Sequence, residues 1–151
     1  MGLDMYLDAE YYIGGHWEHR KVSGKVELVS NGKKISFKGK EVASIVTQIG
    51  SWRKANHIHK WFVDNVQEGN DNCGRYSVSR EQLEALDNLC VRVLADKNLA
   101  QELLPTADGF FFGSTQYDEY YIGDIVDTRE LIKKAFNHIK KGADVYYSSS
   151  W

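Results

Sequence analysis

"KVELVSNGKKISFKG", residues 25–39, is the stretch that decides the fold at the start of the chain. It contains two short predicted strands, residues 25–30 and 33–39, on either side of Asn31-Gly32. An Asn-Gly pair between two strands is a strong hairpin signal, because both residues accept the positive φ of a tight turn. The stretch therefore predicts an antiparallel hairpin.

The residues before the hairpin predict a third strand. Apolar and polar side chains alternate there: Leu3, Met5 and Leu7 against Asp4, Tyr6, Asp8 and Glu10. This period of two is typical of a strand with one buried face. With "GGH" at residues 14–16 as a break, the first forty residues are expected to form an antiparallel meander.

The pattern then changes to a helical period. The recurring apolar residues are Val42, Ile45, Val46, Ile49, Trp52, Val63 and Val66, and Gly50 is expected to join two helices. Residues 68–74 predict a loop and residues 75–79 a short strand. Ser79-Arg-Glu-Gln is a capping box that opens a further helix, and Pro105 ends the helical turn that follows.

The last third predicts a strand or hairpin at residues 109–123, rich in aromatic residues and bounded by glycines. Asp127 is expected to cap a helix that runs to about Lys141 and stops at Gly142, and residues 143–151 predict a final strand. The predicted class is α+β, with a mainly antiparallel sheet of N-terminal meander and C-terminal strands packed against about three helices. A length of 151 residues predicts a single domain covering residues 1–151.

Composition narrows the possible functions. A net charge of −2 and a pI near 6.2 lack the basic footprint of a general nucleic-acid binder. The first twelve residues do not resemble a signal peptide, and no apolar run is long enough for a membrane span. Two cysteines are compatible with a reducing compartment, so we expect a cytoplasmic protein without membrane partners. The 13% aromatic share favours either a binding surface or an aromatic core on the strands.

The segment from Trp52 to Val66 is the first candidate site. As a helix, it places Asn56 and His59 within its apolar face and Arg53, His57, Lys60 and Asp64 in a polar stripe beside it. His57 is therefore expected in solvent, and His59 is expected to be buried with a hydrogen-bond partner. Asn56 and His59 either tie the helix to the sheet or form the floor of a pocket.

The second candidate is the aromatic segment at residues 110–121. It is expected to be either an edge strand or the wall of a pocket in which tyrosines stack on a ring and carboxylates accept from an amine. The residues predicted to bind a ligand are Trp52, Arg53, Asn56, His59, Lys60, Phe112, Ser114, Thr115, Tyr117, Asp118, Tyr120 and Tyr121. Stacking faces beside cations and hydrogen-bonding groups favour a small anionic, nucleotide-like ligand.

Catalytic and metal chemistry have weaker signals. His16 and His19 flank Glu18 in "HWEH", but a loop or strand end does not bring them together as a helix would. Neither a nucleophile motif nor a phosphate loop is present. We therefore predict no catalytic residues, no metal and no cofactor.

Several segments resemble a family of small uncharacterised phage and prophage proteins: "MGLDMYL", "WRKANHIHKWFVDNVQ", "DNCGRYSVSREQL", "LLPTADGFFFGSTQYDEYY" and "YYSSSW". No reaction is assigned to that family, so the resemblance transfers no site residues. It implies an accessory protein in the host cytoplasm, of a kind that counters host defence by sequestering a nucleotide signal or blocking a host protein.

Three functions follow from these observations. The first is binding of a small anionic, nucleotide-like ligand between the predicted helix and the aromatic segment. The second is a protein-interaction module, acting on a host partner or through homo-oligomerisation, that docks by the aromatic edge or the C-terminal "VYYSSSW". The third is a small hydrolase that uses His59 with Asp118 or Glu119.

Overall fold

The computed structural model describes residues 2–14, 17–21 and 23–151, and only the backbone of Arg20. Contacts within these residues divide them into two compact units, residues 10–47 and the remainder. The predicted single domain stays a prediction. The α+β class is confirmed: the described residues form six strands and four helices.

The strands are β1 (Asp4–Tyr12), β2 (Lys25–Ser30), β3 (Lys33–Lys38), β4 (Ser44–Arg53), β5 (Arg75–Val78) and β6 (Asp144–Ser150). The helices are α1 (Asn56–Asn65), α2 (Arg80–Ala95), α3 (Ala100–Leu103) and α4 (Glu119–Lys140). Four strands form an antiparallel sheet in the order β4-β1-β6-β5, and β2 and β3 form a separate pair. None of the described helices is both long and apolar enough to cross a membrane.

The core of the larger unit lies between the four-stranded sheet and the helices. The alternation predicted for β1 is confirmed, since Leu3, Met5 and Leu7 are fully buried. Helix α4 contacts α1, α2 and β6. It also lies against β4, where the Trp52 indole N–H donates to the Thr128 hydroxyl at 2.9 Å. The two longest helices, α2 and α4, therefore lie together, and α4 also contacts strands β4 and β6 of the sheet.

The helix predicted from residue 42 is wrong in its first part, because residues 44–53 form strand β4. Four of these residues, Ile45, Val46, Thr47 and Ile49, are β-branched, and such side chains pack well on a pleated sheet. The Lys54 amide donates to the Leu3 carbonyl at 2.7 Å, which continues the pairing with β1. The helical spacing of the apolar residues was coincidental, and α1 begins only at Asn56.

The strand or hairpin predicted at residues 109–123 is also wrong. Residues 104–118 are a loop, and α4 begins at Glu119. Phe111 and Gly113 have φ values of 62° and 93°, which a regular strand does not accommodate. The helix cap is Asp118 instead of Asp127, which lies inside α4. The predicted end is confirmed by Gly142, with φ of 89° just past the helix.

The smaller unit contains the predicted hairpin. Strands β2 and β3 pair antiparallel, with Lys25 opposite Lys38 and Ser30 opposite Lys33. Asn31 and Gly32 both have positive φ, as the turn prediction required. The meander is wrong in one respect: β1 pairs with β4 and β6 and takes no part in the hairpin sheet.

The predictions for the remaining elements are confirmed. Ser79 and Gln82 make both hydrogen bonds of a capping box at the start of α2. Residues 75–78 form β5, which pairs antiparallel with β6. The final predicted strand is therefore an interior strand of the sheet.

Candidate functional site

A cleft of about 270 Å³ opens within the larger unit. One side is the turn between β4 and α1, and the other is the loop before α4 with the first turns of that helix. The lining residues are Arg53, Lys54, His57, Gly113, Ser114, Gln116, Asp118, Tyr120, Tyr121 and Asp124. Five of them, Arg53, Ser114, Asp118, Tyr120 and Tyr121, are among the residues predicted from the sequence.

A tight turn brings two cations to the mouth of the cleft. Lys54 has a φ of 62°, and its carbonyl accepts from the Asn56 amide at 2.9 Å. Ala55 between them has φ −77° and ψ 68°, the geometry of an inverse γ-turn. The strand thus turns sharply into α1, and the side chains of Arg53 and Lys54 stay exposed beside the cleft.

The Asn56 side chain fixes the opposite wall. Its amide nitrogen donates to the carbonyls of Phe112 at 3.1 Å and Ser114 at 2.9 Å, and its oxygen accepts from the Ala107 amide at 3.0 Å. Asn56 is 1% exposed, so these bonds satisfy a buried amide. Asn56 therefore shapes the loop that lines the cleft, and its own side chain is already occupied.

Gly113 lets this loop approach the turn closely. A Cβ atom at Gly113 would lie 2.9 Å from the Cβ of Lys54, and its φ of 93° disfavours any other residue. The loop can pass the lysine only because this position has no side chain.

The start of α4 completes the cleft. One carboxylate oxygen of Asp118 accepts from the amides of Tyr120 and Tyr121 at 3.0 and 3.1 Å. The Tyr121 hydroxyl donates to the Leu104 carbonyl at 2.8 Å, which holds its ring in the wall. Tyr120 is 76% exposed and offers a ring face to solvent.

His57 lies against Tyr121 and is 3% exposed, with the two ring centroids 4.1 Å apart. The prediction that His57 is solvated is wrong, because the loop and α4 cover the first turn of α1. Its Nε2 has no hydrogen-bond partner among the residues that the structure describes. Burial lowers the pKa of His57 to about 3, so the imidazole is neutral at pH 7.

Asp124 lies one turn further along α4. Burial raises the pKa of its carboxyl to about 6, with smaller contributions from Asp127 and Asp118. Neither a hydrogen bond nor an ion pair reaches this carboxylate from the described part of the chain. An ionised Asp124 therefore lacks the compensation that a half-buried charge ordinarily has.

His59 belongs to a different group of residues. Its two ring nitrogens lie 2.7 Å from the Tyr147 hydroxyl and 3.0 Å from the Asp71 carboxylate, whose other oxygen accepts from the Trp151 indole at 3.0 Å. His59 is 1% exposed, which confirms that it is buried with partners. This chain of bonds ties α1 to β6 and to the loop after α1.

The other predicted site residues lie outside the cleft lining. Trp52 is 5% exposed and bonded to α4, so it is a core residue that offers no stacking face to a ligand. Phe112 is buried, with its ring nearly perpendicular to that of His59. Lys60 pairs with Asp64 at 2.7 Å, and the Thr115 carbonyl and Tyr117 hydroxyl both accept from Thr106. The structure thus brings together five of the twelve predicted residues.

The sequence analysis missed Lys54, His57, Gly113, Gln116 and Asp124 as lining residues. The sequence places Lys54 and His57 on a helix that starts at Trp52, and Asp124 lies just past the aromatic strand predicted to end at residue 123. For Asp124 the available signal is Asp118-Glu-Tyr-Tyr as a helix start, since Asp is a preferred N-cap.

Metal binding has no geometric support in the part of the chain that is described. Among residues 2–14, 17–21 and 23–151, no three His, Cys, Asp or Glu side chains are arranged to hold an ion. His16 of the "HWEH" pair lies outside the described residues.

Comparisons with known proteins add no relative. No protein-family model, no curated protein and no solved structure matches this chain.

Proposed function

We propose that the protein binds a small ligand in the cleft between the β4–α1 turn and the start of α4. The ligand carries an anionic group at one end and hydrogen-bond donors on an aromatic ring at the other, and nucleotides are the class that combines them. The observation that carries this proposal is the arrangement of Arg53 and Lys54 on one side of the cleft and Asp118 and Asp124 on the other.

The cationic side supports an anionic group such as a phosphate. Arg53 is 70% exposed in its side chain and lies 3.7 Å from the Asp4 carboxylate, a distance too long for a strong bidentate pair. Its guanidinium keeps donors for a second anion. Lys54 adds a flexible ammonium held beside it by the backbone turn.

The acidic side supports a ring that carries N–H donors. Ionised Asp124 has no partner among the described residues, so a donor from the ligand would supply the missing hydrogen bond. The exposed Tyr120 ring lies in the same lining and can stack on a base. Neutral His57 would present a nitrogen without adding charge.

The size of the cleft limits the ligand. Small-molecule sites are usually about 300–1,000 Å³, and this cleft of about 270 Å³ lies just below that range. The best fit is a mononucleotide or a cyclic mononucleotide.

The resemblance to phage and prophage proteins supplies a biological setting for this proposal. A protein that holds a nucleotide signal in the host cytoplasm would keep that signal from host defence. That setting stays a proposal, as does the cytoplasmic location.

Titration calorimetry and thermal-shift measurements against mononucleotides and cyclic mononucleotides test the proposal. We expect at least one of these nucleotides to bind with a Kd below about 1 mM, which corresponds to a binding free energy more favourable than about −4 kcal/mol. Arg53→Ala should weaken that binding at least tenfold, because it removes a charged donor from the phosphate end. Arg92→Ala is the matched control, since Arg92 is exposed on α2 outside the cleft.

Two results would contradict the proposal. One is the absence of any heat or melting shift with every nucleotide at millimolar concentration. The other is a bound nucleotide whose affinity changes equally in Arg53→Ala and Arg92→Ala.

The hydrolase alternative has less support than binding. The carboxylate beside His59 is Asp71, instead of the Asp118 or Glu119 expected, and His59 is 1% exposed. A general base must reach its substrate, and a ring covered on both nitrogens by Tyr147 and Asp71 does not.

A further inference from the structure

The β2–β3 hairpin has two chemically different faces. Alternation and register place four apolar side chains together on one face, with Val26 opposite Phe37 and Leu28 opposite Ile35. The other face carries an ionic cluster in which Glu27 contacts Lys25 at 2.7 Å and Lys34 at 2.8 Å. We call the first of these the apolar hairpin face.

The apolar hairpin face is open. Leu28, Ile35 and Phe37 are 56%, 49% and 45% exposed. An apolar groove of about 480 Å³ adjoins it, lined also by Val42, Ala43 and Ile45 of the same unit. A two-stranded hairpin is at best marginally stable in water on its own. A partner that covers this face would therefore stabilise the hairpin as well as bury apolar surface.

Opposite charges lie at the two ends of this surface. Lys33 follows the turn at the tip of the hairpin and shares the face of Ile35 and Phe37 by alternation. Glu41 lies at the base, in the lining of the groove. Both side chains are exposed, and the described part of the chain provides neither with an ion pair.

We propose that the apolar hairpin face binds a second copy of this chain about a two-fold axis. With the two hairpins antiparallel, the tip of each lies over the base of the other. Lys33 of one copy then meets Glu41 of the other, and the two-fold repeats the pair. The apolar residues of both faces fill the grooves between these ends. The surface is thus complementary to itself in polarity and charge.

The area indicates the strength of this contact. Six residues at about 3.3 Å each give a face roughly 20 Å long, and two strands about 4.8 Å apart give it a width of about 10 Å. The hairpin strands alone thus give about 200 Å² per copy, to which the adjoining groove adds, against the roughly 800 Å² per partner of a stable complex. The association is therefore weak and concentration-dependent, with a Kd between about 10 μM and 1 mM.

Sedimentation velocity of the full chain from about 10 μM to 1 mM protein tests this proposal. The native chain should shift from monomer toward dimer as concentration rises. Lys33→Glu and Glu41→Lys should each weaken the dimer at least fivefold, because each places like charges together at both ends of the interface. The double variant Lys33→Glu/Glu41→Lys should restore native affinity, because it exchanges the two charges.

Two further variants separate the apolar contact from general effects. Leu28→Lys should abolish the dimer, whereas Val29→Lys should leave it unchanged, because Val29 is 67% exposed on the ionic face of the same strand. Circular dichroism of each variant checks that the fold is kept. The proposal is overturned if the native chain stays monomeric throughout, or if the double variant fails to recover the affinity lost in the single ones.

Discussion

Two histidines two positions apart in α1 differ at the scale of single residues. Each is nearly fully buried, yet His59 has a partner on both ring nitrogens and the Nε2 of His57 has none among the described residues. A buried polar atom without a partner is uncommon and costs stability. The unpartnered one lines the candidate cleft. The satisfied histidine thus stabilises the fold, and the unsatisfied one marks the site.

Asp124 gives a pH-dependent prediction at the same scale. Its pKa is about 6 in the folded chain and near 3.8 when unfolded, so the folded state holds the extra proton between these values. Stability from this group is therefore present below about pH 4 and is lost as the pH rises through 6. Asp124→Asn should be more stable than the native chain by about 1 kcal/mol at pH 7, a value reduced for partial exposure.

Urea denaturation at several pH values measures this difference. The gap between Asp124→Asn and the native chain should narrow toward pH 4, where the folded carboxyl is protonated and the unfolded one is beginning to take up its proton. Asp144→Asn is the control, since Asp144 is exposed at the start of β6 and does not contribute to the raised pKa of Asp124. A gap that stays constant from pH 4 to pH 7 would contradict the raised pKa.

At the scale of elements, the N-cap residue of helix α4 has two roles: it stabilises the start of the helix and lines the cleft. Asp118 accepts two amide hydrogen bonds at the helix start while its carboxylate lines the cleft. Asp118→Ala should lower the free energy of unfolding by about 1 kcal/mol. Asp118→Asn should lower it less, because an amide oxygen still accepts both bonds.

The same pair of variants separates folding from binding. If Asp118 contributes charge to the cleft, Asp118→Asn should weaken binding of a nucleotide identified by calorimetry while keeping most of the stability. Equal stability losses in Asp118→Ala and Asp118→Asn, measured by urea denaturation, would show that the cap depends on charge rather than on hydrogen bonding.

The elements that the sequence predicted well are those fixed by local chemistry. Asn31-Gly32 determines the hairpin turn, and Ser79 with Gln82 determines the start of α2. Strand β4 was missed because its apolar residues fit a helical period, and only pairing with β1 decides between the two. The cleft was half predicted for the same reason. Arg53 and Tyr120 lie in segments whose composition indicates a binding site. The turn at Lys54 and the loop held by Asn56 depend instead on contacts between residues distant in sequence.

At the scale of the whole molecule, the sheet order joins distant parts of the chain. Strand β1 lies between β4 and β6, so its hydrogen bonds on one side come from residues near the other end of the sequence. A chain shortened after Gly142 lacks β6 and leaves one edge of β1 unpaired. We expect it to lose the cooperative urea transition of the full chain, since both β1 and β5 lose a partner.

Circular dichroism during urea titration measures that transition. A chain shortened only by Trp151 is the control, because it keeps all of β6 and loses one exposed side chain with its bond to Asp71. A cooperative transition of native amplitude in the chain shortened after Gly142 would contradict the prediction that cooperative unfolding requires β6.

The position of β1 also has a consequence during protein synthesis. Roughly 130 residues separate β1 from β6, and ribosomes add about 5–20 residues per second. The apolar side of the nascent β1 strand, with Leu3, Met5 and Leu7, therefore waits roughly 7–26 s for its neighbour. During that interval it is a candidate client for holdase chaperones, and the rate of translation sets how long it must be protected.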